Sequence, residues 1–252
     1  SVRAGVPLTE YMTAVASYTL NLDKVSLDPD TYYTTRQRPP LSECDPVIAG
    51  RYLCEAIGKR TSSILGLNLI HDTLDNRVHP TRGRLISVGG DLAGLGGSVK
   101  YGRIRANAAQ YWPIAKGFIF SISTEGGLIK PFDKSGDPVN GVDDVRLTDR
   151  FYLGEPQMRG FDIRGIGPRV FRQPALLGAD GNALLDANGN IVIDPDRDRW
   201  TDDAIGGRFY YMGRAELEIP LGSGAKELGL RPSIFMDVGA VWGVRAHIEQ
   251  GS

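Results

Sequence analysis

Side chains able to do acid–base, metal or nucleophilic chemistry are sparse in this sequence, and their spacing suits none of these. His71, His79 and His247 share no metal-ligand spacing, and no Gly-x-Ser-x-Gly elbow is present. His71 and Asp72 are adjacent in an alternating segment, so they face opposite sides and do not make a simple dyad. Asp75, inside LDNRVHP, reads as a turn former rather than a base. Asp186, Asn188 and Asn190 echo the start of a calcium loop, but the glycine falls at the fourth position instead of the sixth. No catalysis, cofactor or metal is expected.

Arginines are the conspicuous chemistry. The stretch EPQMRGFDIRGIGPR, residues 155–169, sets Arg159, Arg164 and Arg169 among glycines and prolines, with Phe161 in their midst. A glycine-rich loop can cradle phosphate, but no Lys-Ser/Thr follows and no strand-to-helix context surrounds it. A net charge of -1 over the chain argues against a nucleic-acid partner, which would require a clustered positive excess. Cys44 and Cys54 are the only cysteines. They read either as unpaired thiols or part of a metal site, or as a loop-closing disulfide; with no histidine nearer than His71, the disulfide and an oxidising environment are favoured.

The elements that must position these residues alternate with period two. Leu65, Leu67 and Leu69 lie opposite Gly66, Asn68 and Asp72; Ile104, Ala106, Ala108 and Trp112 lie opposite Arg103, Arg105 and Asn107. Phe209, Tyr211, Ala215, Leu217 and Ile219 oppose Arg208, Arg214, Glu216 and Glu218. About eight strands are predicted, near 1–7, 11–22, 61–72, 83–92, 98–112, 117–129, 206–220 and 231–243. A short helix within 46–58 and a hairpin turning at Asn188-Gly189 are also expected.

Short turns, such as Leu221-Gly-Ser-Gly224, alternate with long connections of about 23–60 and 130–205. That asymmetry is typical of a transmembrane barrel. No run approaches the roughly 18 apolar residues of a membrane helix, and no basic-then-apolar leader opens the sequence. A soluble antiparallel sandwich or lipocalin-like barrel alternates in the same way. Aromatics at strand ends (Tyr11, Tyr111, Trp112 and Trp242) favour the membrane alternative.

Several ordered motifs resemble one family. MRGFDIRGIGPR is similar to the [Val/Met]-Arg-Gly-Phe signature of the BamA-type outer-membrane assembly factors, found in the sixth extracellular loop of their barrel. HDTLDNRVHPTRG resembles that superfamily's Asp-x-x-Asp…Pro-x-x-Gly periplasmic turn, and DDAIGGRFYYMGRAELEIPL and RPSIFMDVGAVWG resemble the strands after the loop. The resemblance spans nearly the whole chain. It implies that residues 1–252 are an all-β, antiparallel transmembrane barrel in part, eight consecutive strands of a 16-stranded one, with POTRA repeats and early strands before Ser1 and closing strands after Val244 lying outside it.

What the resemblance implies for function is insertion of unfolded outer-membrane clients into the outer membrane of a Gram-negative-type bacterium, among its lipids and with accessory assembly lipoproteins. A related secretion pore or a passive porin is the alternative. In the family the long loop folds into the lumen and its arginine meets acids of the inner wall. The positions matching those acids are Glu218 and Asp237, and the alternation places both on the polar face of their strands. Two carboxylates would satisfy much of the Arg159 guanidinium fork. Gly160 would let the loop turn where a Cβ might clash, and Phe161 would pack on the lumen wall. Arg164 and Arg169 are expected to be solvated or to bind backbone.

Overall fold

The computed structural model describes residues 1–27, 44, 51–54, 56–134, 143–179, 184–190, 192–221, 230–244 and 247–250. Eight strands form one antiparallel sheet: β1 (Val2–Pro7), β2 (Met12–Val25), β3 (Gly58–Asp72), β4 (Gly83–Gly97), β5 (Tyr101–Ala115), β6 (Phe118–Pro131), β9 (Phe209–Glu218) and β10 (Ser233–Trp242). They lie in chain order, each paired with the next. The connection between β6 and β9 carries β7 (Arg169–Gln173) and β8 (Thr201–Ala204), which join β11 (His247–Gln250) in a second, three-stranded sheet.

All eight predicted strands are present. The one nearest 83–92 runs on to Gly97, because its glycine-rich end offers no side-chain alternation to read. The second sheet was not predicted: its strands are four or five residues long, and the β11–β7 pairing is parallel and brings together residues as far apart as Val170 and His247. A helix of four residues, α1 (Arg51–Cys54), falls inside the predicted 46–58, and Cys54 is disulfide-bonded to Cys44. The hairpin at Asn188-Gly189 also forms, with Leu184 and Val192 paired across it. The turn 222–224 lies outside the described residues.

The two faces of the main sheet differ in the way that decides between membrane and soluble readings. Leu67, Ile104, Ile234 and Met236 are 63%, 50%, 66% and 64% exposed, and they share the apolar face of their strands. Among the described residues no second layer covers that face. The polar face is the covered one: the residues after Val145 lie against it, burying Val145 with Ala93, Val99, Tyr101 and Ile129 in one small apolar cluster. A soluble sandwich would bury its apolar face instead. An apolar outside and a polar inside are what a wall facing lipid requires.

Aromatics mark both rims. Trp112 stacks on Phe120 at one end, and Trp242 stacks on Phe209 and meets Tyr211 edge-on at the other. Tyr111 departs from that expectation, since it shares the inner face with Arg103 and Arg105 by strand parity. β3, β4 and β5 are each 15 residues long, more than the 9–11 a tilted strand uses to cross the hydrocarbon core, so their ends extend beyond it.

Candidate functional site

The first stretch of the described loop after β6 is pinned to the wall before the loop reaches the site. Arg60, 7% exposed, holds Asp149 at 2.9 Å, and Arg208 reaches Asp143 at 2.8 Å and Asp144 at 3.3 Å. Beyond these anchors Leu153 bridges to Ile166, so residues 153–166 form a compact lobe. Burial pushes the Tyr152 phenol above its ordinary value; it stays protonated and donates to the Leu147 carbonyl at 2.9 Å.

Leu153 and Met158 pack on Met212 of β9 and Val241 of β10, all four nearly fully buried. Gly239 makes this approach possible. A Cβ there would sit 2.8 Å from Leu153 Cδ2 and 3.2 Å from Met158 Sδ, closer than side chains tolerate.

This packing delivers Arg159 to the inner wall. Its Nε and one terminal nitrogen donate to the two oxygens of Asp237 at 3.1 and 3.0 Å, and its backbone N–H reaches the same carboxylate at 3.3 Å. The guanidinium carbon also stands 3.2 Å from the centre of the Phe235 ring, adding a cation–π contact. Asp237 is shared. Arg214 of β9 donates to both its oxygens at 2.8 and 3.1 Å and to the Gln157 carbonyl at 2.7 Å, so a second guanidinium ties the wall to the loop.

The acid completing the cluster is Glu216, 3.4 Å from Arg159, and Glu218 is not part of it. This corrects the expectation from sequence. Glu216 and Glu218 share a face, which the alternation could show; which of them is within reach depends on register. Arg214 lies opposite Asp237, Glu216 opposite Phe235 and Glu218 opposite Ser233. At about 3.4 Å per residue, Glu218 is roughly 13 Å down the strand from the Arg214 level. Its carboxylate binds His79 Nε2 instead, at 3.0 and 3.2 Å.

His79 belongs to the turn joining β3 to β4, which therefore reaches beneath β5 and β6 to the end of β9. Asp75 organises that turn, accepting from the Thr81 hydroxyl and from the N–H groups of Asn76, Thr81 and Arg82. These bonds, the Thr81 hydroxyl foremost, hold its carboxyl well below the usual aspartate range. Asp186, the would-be calcium ligand, caps its own hairpin by accepting from Asn188 and Asn190 N–H groups.

The remaining loop residues divide. Gly160 has φ +83° and open space around the position of a Cβ, so the left-handed backbone, and not a clash, is what calls for glycine. Phe161 is 45% exposed and belongs to neither apolar cluster, contrary to the expectation that it packs on the wall. The apolar contact is made by Met158, one residue before Arg159, and the turn at Gly160 carries the chain away from the wall. Arg164 lies 4.6 Å over the Tyr152 ring; Arg169 pairs with Asp202 and donates to the Arg164 and Asp202 carbonyls.

Arg214, Glu216 and Phe235 are the cluster members that the sequence reading passed over. A phenylalanine two residues before Asp237 on the same inward face of β10 was the available signal.

Comparison with known proteins accords with this geometry. The Omp85 superfamily domain model matches residues 1–251. The chain is 31% identical over 194 residues to the outer membrane protein assembly factor BamA of Neorickettsia risticii, covering 77% of this chain and 21% of that protein. It is 33% identical over 114 residues to the sorting and assembly machinery component 50 homolog of Mus musculus, covering 44% of this chain and 23% of that protein. It thus spans about a fifth of the length of such relatives. The crystal structure of BamA from Haemophilus ducreyi lacking POTRA domains 1-3 superposes over 96% of this chain and 41% of that one, with a TM-score of 0.63 at 19% identity. This chain belongs to the Omp85 superfamily.

Proposed function

We propose that this chain is the wall and internal brace of an outer-membrane assembly factor that folds and inserts client β-barrel proteins into the outer membrane of a Gram-negative-type bacterium. The relatives named as assembly factors support the activity. The observation that carries the reading is the joint clamp on Asp237 by Arg159 and Arg214.

An unpaired strand edge in lipid leaves N–H and C=O groups unsatisfied at several kcal/mol each, so an assembly factor has to offer a template edge while the rest of its wall stays rigid. A loop clamped inside the wall supplies that rigidity. Asp237 is 3% exposed, so its charge rests on the two guanidiniums and the Arg159 backbone N–H instead of on solvent. The clamp requires no nucleotide or metal. Membrane lipids would contact the apolar face.

Liposomes containing the protein should speed the folding of an urea-unfolded outer-membrane client over empty liposomes of the same lipid, with Arg159→Ala slower than the parent. Equal rates with and without the protein would remove the assembly role; a parental rate in the variant would remove the brace.

A further inference from the structure

The apolar face of the sheet is interrupted by a groove of about 460 Å³. Two cross-strand rows build it. In the first, Leu67, Gly90, Ile104 and Leu128 stand side by side on β3 to β6; in the next, towards the rim that carries the long loops, Leu65, Leu92, Gly102 and Lys130 do the same. Each row has one glycine, and the two are offset by one strand, so the missing side chains open a diagonal channel that ends beside Lys130. The Phe132 ring closes the rim end, 3.1 Å from where a Cβ on Gly102 would be.

Lys130 shares the outward face with Leu128, is exposed, and among the described residues has no acidic partner. The nearest acid in sequence, Asp133, is held by Lys100 at 3.2 Å. At the same rim and on the same face, Lys24 stands directly opposite Lys59, a like-charge pair that disfavours itself unless an anion lies nearby. A lysine at the end of an apolar membrane-facing channel keeps its stem in lipid and its ammonium at head-group level.

We propose that this groove seats one acyl chain of an outer-leaflet lipid, with Lys130 binding the phosphate of its head group. The inference rests on the outer-membrane reading above. The chain lies in the channel over Gly90 and against the Phe132 ring that packs on Gly102, and the ammonium supplies the charge complement that the protein itself lacks there. A lysine near an anionic surface corresponds to about a fivefold preference for the charged lipid.

The test counts lipids retained by the purified protein in mild detergent by native mass spectrometry, using diphosphoryl lipid A in competition with its dephosphorylated form. The parent should prefer the diphosphoryl form about fivefold or more. Lys130→Gln should abolish the preference. Gly90→Leu should lower retention of both forms, since the Gly90 Cβ position has only the Arg103 carbonyl within reach, at 3.9 Å, and so the added side chain fills the groove without distorting the strand.

Unchanged preference in Lys130→Gln, or unchanged retention in Gly90→Leu, overturns the proposal. Heat-modifiable migration and membrane insertion of both variants are recorded in the same samples. Loss of selectivity in an inserted parent barrel removes the lipid site alone, whereas a parent that stays soluble without detergent removes the membrane reading and the site with it.

Discussion

Arg214 stands directly opposite Asp237 across β9 and β10, and its guanidinium takes both carboxylate oxygens at 2.8 and 3.1 Å. Arg159 therefore completes a site whose wall half is already paired. Removing Arg159 should loosen the loop and cost about 1–3 kcal/mol, because Arg214 still satisfies the acid. Asp237→Ala takes the shared acid from both guanidiniums, leaving Arg159 with Glu216 and Arg214 with the Gln157 carbonyl, and should cost more, about 3–5 kcal/mol. The temperature at which the folded band disappears on gels should fall in that order, and the double variant Arg159→Ala/Arg214→Ala should depart from additivity, since both act through one carboxylate.

Glu216 and Glu218 should separate cleanly. Glu216→Gln weakens the contact to Arg159 and should raise amide exchange within residues 153–166, leaving 73–82 unchanged. Glu218→Gln should do the reverse, because its partner is His79. If Glu218→Gln mobilised the arginine loop, the register-based assignment would be wrong.

Two glycines in the same site should respond differently to a side chain. Gly239→Val drives methyl groups into Leu153 and Met158 and should destabilise by about 1–3 kcal/mol, with the loop displaced from the wall. Gly160→Ala meets open space and should cost only the left-handed backbone penalty, about 1–2 kcal/mol. Melting curves of the two variants in detergent, with limited proteolysis of the loop, distinguish clash from backbone strain.

The β3–β4 turn should tolerate acid. Hydrogen bonds to Asp75 lower its pKa on folding, so its contribution is present above the unfolded value of about 4 and is lost only as pH falls through the lower folded value. Amide protection of residues 73–82, corrected for intrinsic exchange, should not fall between pH 7 and about 4. Asp75→Asn keeps the shape but removes the charge, and should lower that protection across the whole range.

Eight strands, their inward and outward faces, and the family of the loop were legible in the residues themselves, because strand geometry alternates side chains with a period of two and, away from the rims, the charged positions keep to it. Arg103 and Arg105 on one side of β5 and Ile104 and Ala106 on the other need no tertiary information. Even the pairing of Cys44 with Cys54 could be weighed from their being the only cysteines, with no histidine nearer in sequence than His71.

Reach was decided only by the folded structure. Parity made Glu216 and Glu218 equivalent, and the β9–β10 register gave one to Arg159 and the other to a histidine 139 residues away in sequence. It also turned Met158, not Phe161, onto the wall, and among the described residues it left the apolar face without a covering layer, the feature that sets this sheet apart from a soluble sandwich with the same alternation. Alternation is a local property of the backbone, whereas strand register and the way a loop folds back are set by contacts between segments far apart in the chain.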